Sequence, residues 1–292
     1  MERGFTMKIR DILSRQKPTL SFEVFPPKTE DKYESVERAA LKIARLSPAF
    51  MSVTYGAGGG TSDYTVQIAR TLMEAGVTPL AHLTCVSSTR EKVHAVLAQL
   101  RKAGIENVLA LRGDIPAGGP VAHDYRYASE LIAEIKACGD FCIGAACYPE
   151  GHVESRNKAD DITHLKEKVD AGCEFVTTQM FFDNNILYNY LYRIRERGVT
   201  VPVVAGVMPV TSASQIARIT SLSGTYLPTR FKSIVDRFGD NPAAMKQAGI
   251  AYACEQIIDL IANGVNAIHV YSMNKPDVAE AIAHNLGAVL SV

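Results

Sequence analysis

Eight short β-rich runs, each followed by a longer charged segment of helical spacing, recur along this 292-residue chain. They are LSFEVF (20–25), FMSVTY (50–55), PLAHLTC (79–85), NVLALRG (107–113), FCIGAACYP (141–149), FVTTQMFF (175–182), PVVAGVMP (202–209) and NAIHVYS (266–272). Helical patterns fill 32–46, 63–75, 89–103, 127–137, 158–171, 186–197, 212–222 and 276–289. Strand starts fall mostly 28 to 34 residues apart, the size of one βα unit with its loops. The last interval also holds two further helical segments, 228–237 and 241–263. Many of the strands are near-continuous apolar runs, as when both faces of a sheet are covered. Cap-like residues open several helices (Thr61 to Asp63, Ser88 and Thr89, Thr211 and Ser212), and Gly104, Gly198 and Gly264 stand where helices end. This pattern predicts an α/β chain, a single (β/α)8 TIM barrel over 1–292 with extra helices before the last strand. A doubly wound open sheet is the alternative, weakened because no G-x-G-x-x-G follows the first strand.

Composition narrows the function classes. Thirty-one basic and 31 acidic side chains give zero net charge, which argues against a nucleic-acid or membrane-surface binder. No run of eighteen apolar residues offers a membrane span, and MERGFTMKIRDILSRQK lacks the apolar core of a secretory signal. Met7 is an alternative start. Six cysteines, several in apolar runs, read as small hydrophobes, and the expected location is the cytoplasm.

In a barrel of this kind, chemistry sits where the strands end. Those ends carry Glu23, Thr54 and Tyr55, His82 and Thr84, Arg112 and Asp114, then Tyr148, Glu150 and His152, Gln179 and Tyr271. Any one of them alone reads as a cap or loop residue; together they predict a site. Glu23 is the sharpest. It stands between Phe22 and Val24, just before Phe25 and two prolines, where desolvation raises a carboxyl pKa toward that of a general acid. The bland reading is a structural glutamate paired with a basic neighbour.

Asp114 follows Arg112 and Gly113. Adjacent residues on an extended run rarely face one another, so a ligand-facing pair is preferred over a local ion pair. GAGGGTSD (56–63) lacks the G-K-[ST] of a phosphate loop. Cations for a ligand phosphate are Arg112, Arg156, Lys158, Lys166 and Lys168, and Asp161, His164 and Lys168 share one helix face. A metal site built from His82, His152, Glu23 and Asp114 is a minority reading, because no C-x-x-C or early H-x-H supports it. No strand end carries a lysine for imine chemistry, since Lys28 and Lys275 fall in loops.

SFEVFPPKTE, SVTYGAGG, HLTC, LALRGD, YASEL, AACYPEGH, LKEKVDAG, TTQMFFD, GVMPV and HVYSMNK occur in that order. Together they resemble the flavin-dependent 5,10-methylenetetrahydrofolate reductases of bacteria, from about residue 18 to 290. The resemblance implies a (β/α)8 barrel holding FAD at the C-terminal rim, without the regulatory domain of longer eukaryotic members. It implies a ping-pong reaction: NADH or NADPH reduces the flavin, and methylenetetrahydrofolate is then reduced to 5-methyltetrahydrofolate for one-carbon metabolism and methionine synthesis. Glu23 matches the general acid that opens the folate ring at N10, and Asp114 the carboxylate near flavin and pterin. Gln179, Tyr271 and Lys275 match folate-binding positions, and Ile219 an apolar one packing on the substrate. For FAD the matching residues are Thr54, Tyr55, His82, Arg112, Gly113, Asp114, Tyr127, Ala128, Tyr148, His152, Asp161 and Lys168. His164 also falls among them, but it and Glu167 depart from the asparagine and arginine of some bacterial members. Family members are commonly oligomeric, so a homo-oligomer is expected. The alternatives are a metal-assisted hydrolase or lyase on the same barrel, a subunit needing a separate protein electron donor, and a non-catalytic subunit that retains the fold.

Overall fold

A computed structural model describes residues 7–15, 17–27, 29–55, 62–115, 122 and 124–292. Expectations that fall on Met1, Lys28, 56–61 and 116–121 lie outside the described residues. The sheet is a closed barrel of eight parallel strands in sequence order. They are β1 (Thr19–Val24), β2 (Met51–Val53), β3 (Pro79–Thr84), β4 (Asn107–Leu111), β5 (Cys142–Cys147), β6 (Phe175–Thr178), β7 (Val203–Val207) and β8 (Ala267–Val270). Closure through β1 and β8 excludes the open-sheet alternative.

Around the barrel run α1 (Ile9–Leu13), α2 (Tyr33–Ala44), α3 (Ser62–Glu74), α4 (Arg90–Lys102), α5 (Ala128–Cys138), α6 (Lys158–Asp170) and α7 (Asn184–Glu196). They continue as α8 (Ala213–Ser223), α9 (Thr229–Phe238), α10 (Pro242–Ala262) and α11 (Pro276–Leu286). The helices start where local chemistry satisfies their first amides. Thr89 accepts from Lys92 N, Asn157 from Ala159 N and Asp160 N, and Ser212 forms a capping box with Gln215. Gly104, Gly198 and Gly264 take the left-handed conformation that ends α4, α7 and α10. None of the described helices is long and apolar enough to cross a membrane.

Because side chains alternate along a strand, each strand gives one set to the helices and one to the barrel interior. Phe22, Val24, Met51, Val53, Ala81, Leu83, Val108 and Ile143 belong to the main apolar core, which β-strands share with the surrounding helices. The interior set is graded. At its N-terminal end, Phe50, Leu80, Leu109, Cys142, Phe175 and Val204 form a second apolar cluster. Above it the inward positions turn polar: Ser21, Ser52, His82, Thr177 and His269, all buried.

The short helix α1 seals the apolar end, with Ile9 and Ile12 joining the lower cluster. Sequence reading missed this element. Its signal, Ile9, Ile12 and Leu13 at helical spacing, spans barely more than one turn inside a charged stretch. Asn107 at the start of β4 ties it down. Its Oδ1 accepts from Ile9 N at 2.8 Å, and its Nδ2 donates to Met7 O at 3.2 Å and Pro79 O at 3.3 Å. Replacing this fully buried amide orphans three backbone groups, each worth roughly 1–3 kcal/mol when left unpaired. Asn107→Ala is therefore expected to lower the unfolding free energy by about 2–4 kcal/mol in urea titration, with the C-terminal cleft unaltered. A loss under about 0.5 kcal/mol would show that the seal does not depend on it.

Candidate functional site

The C-terminal ends of the strands and their following loops enclose a cleft of about 980 Å³. That is at the upper end of the range for small-molecule sites. Glu23, Thr54, Tyr55, His82, Tyr148, Gln179 and Tyr271 reach it from the strand ends. Arg112, Gly113 and Asp114 enter after β4; Tyr127 and Ala128 come from the start of α5, and His152 follows β5. Asp161, His164 and Lys168 line it from one face of α6, as their spacing predicts.

Five sequence-selected residues lie outside this wall: Ile219, Lys275, Glu150, Lys158 and Lys166, the last paired with Asp170 on α6. Ile219 is turned by α8 into a separate apolar cluster with Phe182, Val210, Leu227, Phe231 and Met245. Lys275, at the N-terminus of α11, donates from Nζ to Thr211 Oγ1 at 2.8 Å. Glu150 faces a smaller neighbouring pocket and accepts from Tyr226 N at 2.9 Å.

The cleft floor is a hydrogen-bonded row. Ser21 Oγ lies 2.9 Å from the carbonyl of Ile268 and 2.8 Å from His269 Nδ1. On the other side of the ring, Ser52 Oγ lies 3.1 Å from His269 Nε2, and the tautomer of the ring sets which atom of each pair donates. Burial holds His269 down to about 3, so the ring is neutral. Ser52 is also hydrogen-bonded to Glu23.

Burial pushes Glu23 from 4.5 up to about 8, against a smaller lowering by the Ser52 hydrogen bond. The bland reading, a basic partner for Glu23, is not realised among the described residues. Its nearest such group is His82 Nε2 at 3.8 Å, itself held down to about 3 by burial and therefore neutral. The Glu23 side chain remains 15% exposed, toward the cleft.

Sequence reading did not single out Ser21, Ser52 or His269. Their signal was parity: each lies two residues before a selected position (Glu23, Thr54 and Tyr271) and so shares its inward face. The register supplies the rest, pairing Glu23 with Ser52 and Ser21 with His269 across neighbouring strands. Tyr271 crosses the barrel to donate to Thr178 O. It fits because Gly206 beneath it has no Cβ, which would collide with both the Tyr271 hydroxyl and the Thr178 carbonyl.

The flank is charged. Arg112 does not pair with Asp114; it makes a bidentate bond to Glu154, at 2.5 Å from Nη1 and 2.7 Å from Nη2. Gly113 lets the chain turn there with φ +85°, where an added Cβ would press on Thr84 at 3.0 Å. Asp161 accepts from His152 N and Ser155 Oγ, both at 3.3 Å, fixing the loop before α6. Lys168 is buried against the carbonyl of Ala146 at 2.9 Å, and desolvation lowers its pKa. His152 is lowered by burial and then by Arg112, and packs edge-on against Tyr148. At the outer edge the ring of Tyr127 stacks on His164 with centroids 5.9 Å apart. Nδ1 of His164 meets Glu167 at 3.1 Å, so the two residues that depart from the family pattern pair with each other.

The minority metal reading finds no support in this geometry. Among the described residues, the ligand set that converges is His94, Glu134 and Cys138, and it lies on α4 and α5 outside the barrel. His82, His152, Glu23 and Asp114 form no such set among the described residues.

Comparison with known proteins agrees with the fold and with the ordered motifs. Residues 8–287 match the family model for methylenetetrahydrofolate reductase. The chain is 34% identical over 269 residues to 5,10-methylenetetrahydrofolate reductase of Pectobacterium carotovorum, covering 92% of this chain and 90% of that one. It is 32% identical to the Escherichia coli protein of the same name, with the same coverage. An Arabidopsis thaliana protein named methylenetetrahydrofolate reductase (NADH) 1 is 34% identical over 97% of this chain, which spans half of that longer protein. Among solved structures, an uncharacterized Clostridium thermocellum protein that binds two copies of 5-methyl-5,6,7,8-tetrahydrofolic acid superposes with a TM-score of 0.68. It covers 98% of this chain and 99% of its own at 15% identity, a likeness of fold. With its family model matched over nearly its whole length and relatives above 30% identity, the chain belongs to the methylenetetrahydrofolate reductases, a family of oxidoreductases.

Proposed function

We propose that the cleft holds FAD and that the protein reduces 5,10-methylenetetrahydrofolate to 5-methyltetrahydrofolate, with NADH or NADPH as the hydride source. Family membership supplies the reaction class, and the observation that carries the assignment of chemistry is the desolvated Glu23 carboxyl on the cleft floor, with no cation beside it among the described residues. A reductase acting on a methylene bridge between two nitrogens needs an acid before it needs a hydride. N10 must take a proton so that its bond to the bridging carbon can break, leaving a cationic iminium at N5. Glu23 holds such a proton near neutral pH because its site is desolvated, which outweighs the opposing hydrogen bond from Ser52.

The cleft residues fit a flavin dinucleotide. Its volume is adequate, and the Tyr127–His164 stack offers an aromatic platform at one edge. Arg112 and Lys168 supply cations on the flank, and His82 presents a buried Nε2 without a hydrogen-bond partner among the described residues. Bound there, FAD supplies the hydride-carrying chemistry that no side chain has. Thr54, Tyr55, His82, Arg112, Gly113, Tyr127, Ala128, Tyr148, His152, Asp161, His164 and Lys168 are the residues we assign to holding it. Asp114, exposed at the cleft mouth, places a negative charge where a cationic intermediate is favoured. Gln179 accepts from Met180 N through Oε1 at 3.0 Å, which leaves its amide NH2 to meet a ring acceptor such as the pterin. Tyr271 walls the opposite side. Ile219 and Lys275, outside the wall, are assigned to substrate contacts made beyond the flavin cleft.

The first test is an anaerobic absorbance spectrum. A bound flavin that NADH or NADPH bleaches and methylenetetrahydrofolate recolours is the expected result; a chain that takes up no FAD would remove the cofactor assignment. Glu23→Gln is expected to keep flavin reduction by the nicotinamide and to slow folate reduction by about 10²-fold or more in stopped flow. Native-like folate reduction in that variant would strip Glu23 of its role. The acid must be protonated to act, so the native folate step should slow as pH rises through about 8. Stability follows the same titration. Between about 4.5 and 8 the folded chain keeps a proton that the unfolded chain releases, so unfolding free energy should fall across that window. The full drop is on the order of 4 kcal/mol. Chemical denaturation of native protein and Glu23→Gln at several pH values would show the difference, the variant curve lacking this fall.

A further inference from the structure

Among the described residues, six carboxyl groups (Glu23, Asp114, Glu154, Asp160, Asp161 and Glu167) line the cleft, against three permanent cations: Arg112, Arg156 and Lys168. A dinucleotide brings two more negative charges to this wall, and each cation already has a partner. Arg156 pairs with Asp160 at 3.1 Å, out in solvent. Lys168 is pinned beneath the wall on Ala146 O and lies 5.7 Å from the centre of the Tyr148 ring. Arg112 is the cation on the cleft surface. Both of its outer nitrogens go to Glu154, while Nε faces its own neighbour's carbonyl, Gly113 O, at 3.3 Å. A guanidinium edge engaged in this way cannot also receive a phosphate bidentately.

Resting on the FAD reading of the cleft, we propose that Glu154 is a competitor for the cofactor's diphosphate: its carboxylate occupies the anion seat on Arg112 and leaves it when the dinucleotide binds. The geometry allows the exchange at small cost. Glu154 is half-exposed while Arg112 is three-quarters covered, so the carboxylate can swing into water while the guanidinium stays in place. The loop need not move with it. Glu154 N is held by His152 Nδ1 at 3.1 Å, and the flanking Ser155 hydroxyl and His152 amide are held by Asp161. Only the side chain of Glu154 has to rotate. Until then it keeps Arg112 aimed across the cleft and spares the wall an uncompensated cation. The consequence is an affinity for the dinucleotide below what the same wall would give without the competitor. The penalty falls on ligands carrying phosphate at this position and not on the isoalloxazine ring alone.

The test is flavin titration of the full chain freed of cofactor, followed by fluorescence quenching, with FAD and riboflavin as the two probes. Glu154→Gln is expected to bind FAD about five- to tenfold more tightly than the native chain, with riboflavin binding unchanged. Glu154→Asp, whose shorter side chain cannot close the bidentate pair, should tighten FAD in the same direction and guards against a folding defect in the first variant. FAD affinity that is equal or weaker in both variants overturns the exchange and makes Glu154 a support for Arg112. Equal tightening of riboflavin would also overturn it, because the gain would not come from the phosphates. A native chain that binds neither probe, while remaining folded by circular dichroism, overturns the cofactor reading itself. That outcome is distinct from FAD binding that Glu154 does not affect.

Discussion

The inward side chains of a closed barrel have only one another to bond with, and this confinement shapes everything above and below the cleft floor. A closed barrel leaves no edge strand, so a buried polar group in the middle layer bonds another inward side chain or a strand carbonyl, or, like His82 Nε2 beside the cleft, has no hydrogen-bond partner among the described residues. His269 is bonded at both nitrogens, between Ser21 and Ser52. Ser21 and Ser52 tie that ring to β1 and β2, and Ser52 also bonds Glu23. The same barrel closure that makes the fold buries the carboxyl and raises its pKa.

This also explains why the interior is graded from apolar to polar. Below the row, large side chains fill the barrel: Phe175 lies over Gly144, and Phe50 stacks against the His269 ring with centroids 5.8 Å apart. Water excluded by that packing and by α1 cannot enter from the N-terminal end to solvate His269 or Glu23. The raised carboxyl pKa is thus a property of the lower layer as much as of the residues beside Glu23. Each strand carries both duties in alternate positions, β1 in the order Thr19, Ser21, Glu23 from seal to cleft.

The fold was legible because its signal is repetitive and long-range: eight apolar runs at near-constant spacing leave few alternatives. What was not legible lay where one local signal stood for two physical causes. FVTTQMFF reads as one strand, yet β6 ends at Thr178, and Phe181 and Phe182 are buried under helices outside the barrel. Apolarity there reported burial and not extension. Rim residues such as Tyr148 and Gln179 were found from their place at strand ends. His269 was passed over although it sits in the same run as Tyr271, because a histidine between Ile268 and Val270 looks like a core residue until cross-strand register is known. Glu154 was invisible for a related reason. Its partner Arg112 is 42 positions away and meets it only after two βα units have closed.

Floor and flank solve opposite electrostatic problems within one cleft. On the floor a single carboxyl is kept neutral by isolation, with neutral histidines on either side and, among the described residues, no permanent cation to draw off its proton. A lysine or arginine at His82 or His269 would ionise Glu23 and leave no acid. On the flank carboxylates are kept ionised by pairing, as Glu154 is held below its usual range by Arg112. Were Arg112 nearer the floor, it would depress Glu23 in the same way. Its position after β4, turned outward at Gly113 and engaged by Glu154, keeps a strong cation in the cleft while preserving the neutral acid beneath it. The Arg112–Glu154 pair therefore has a consequence on the floor as well as on the flank: until an anionic ligand takes over the guanidinium, the pair screens the positive charge from the one group whose chemistry depends on not feeling it.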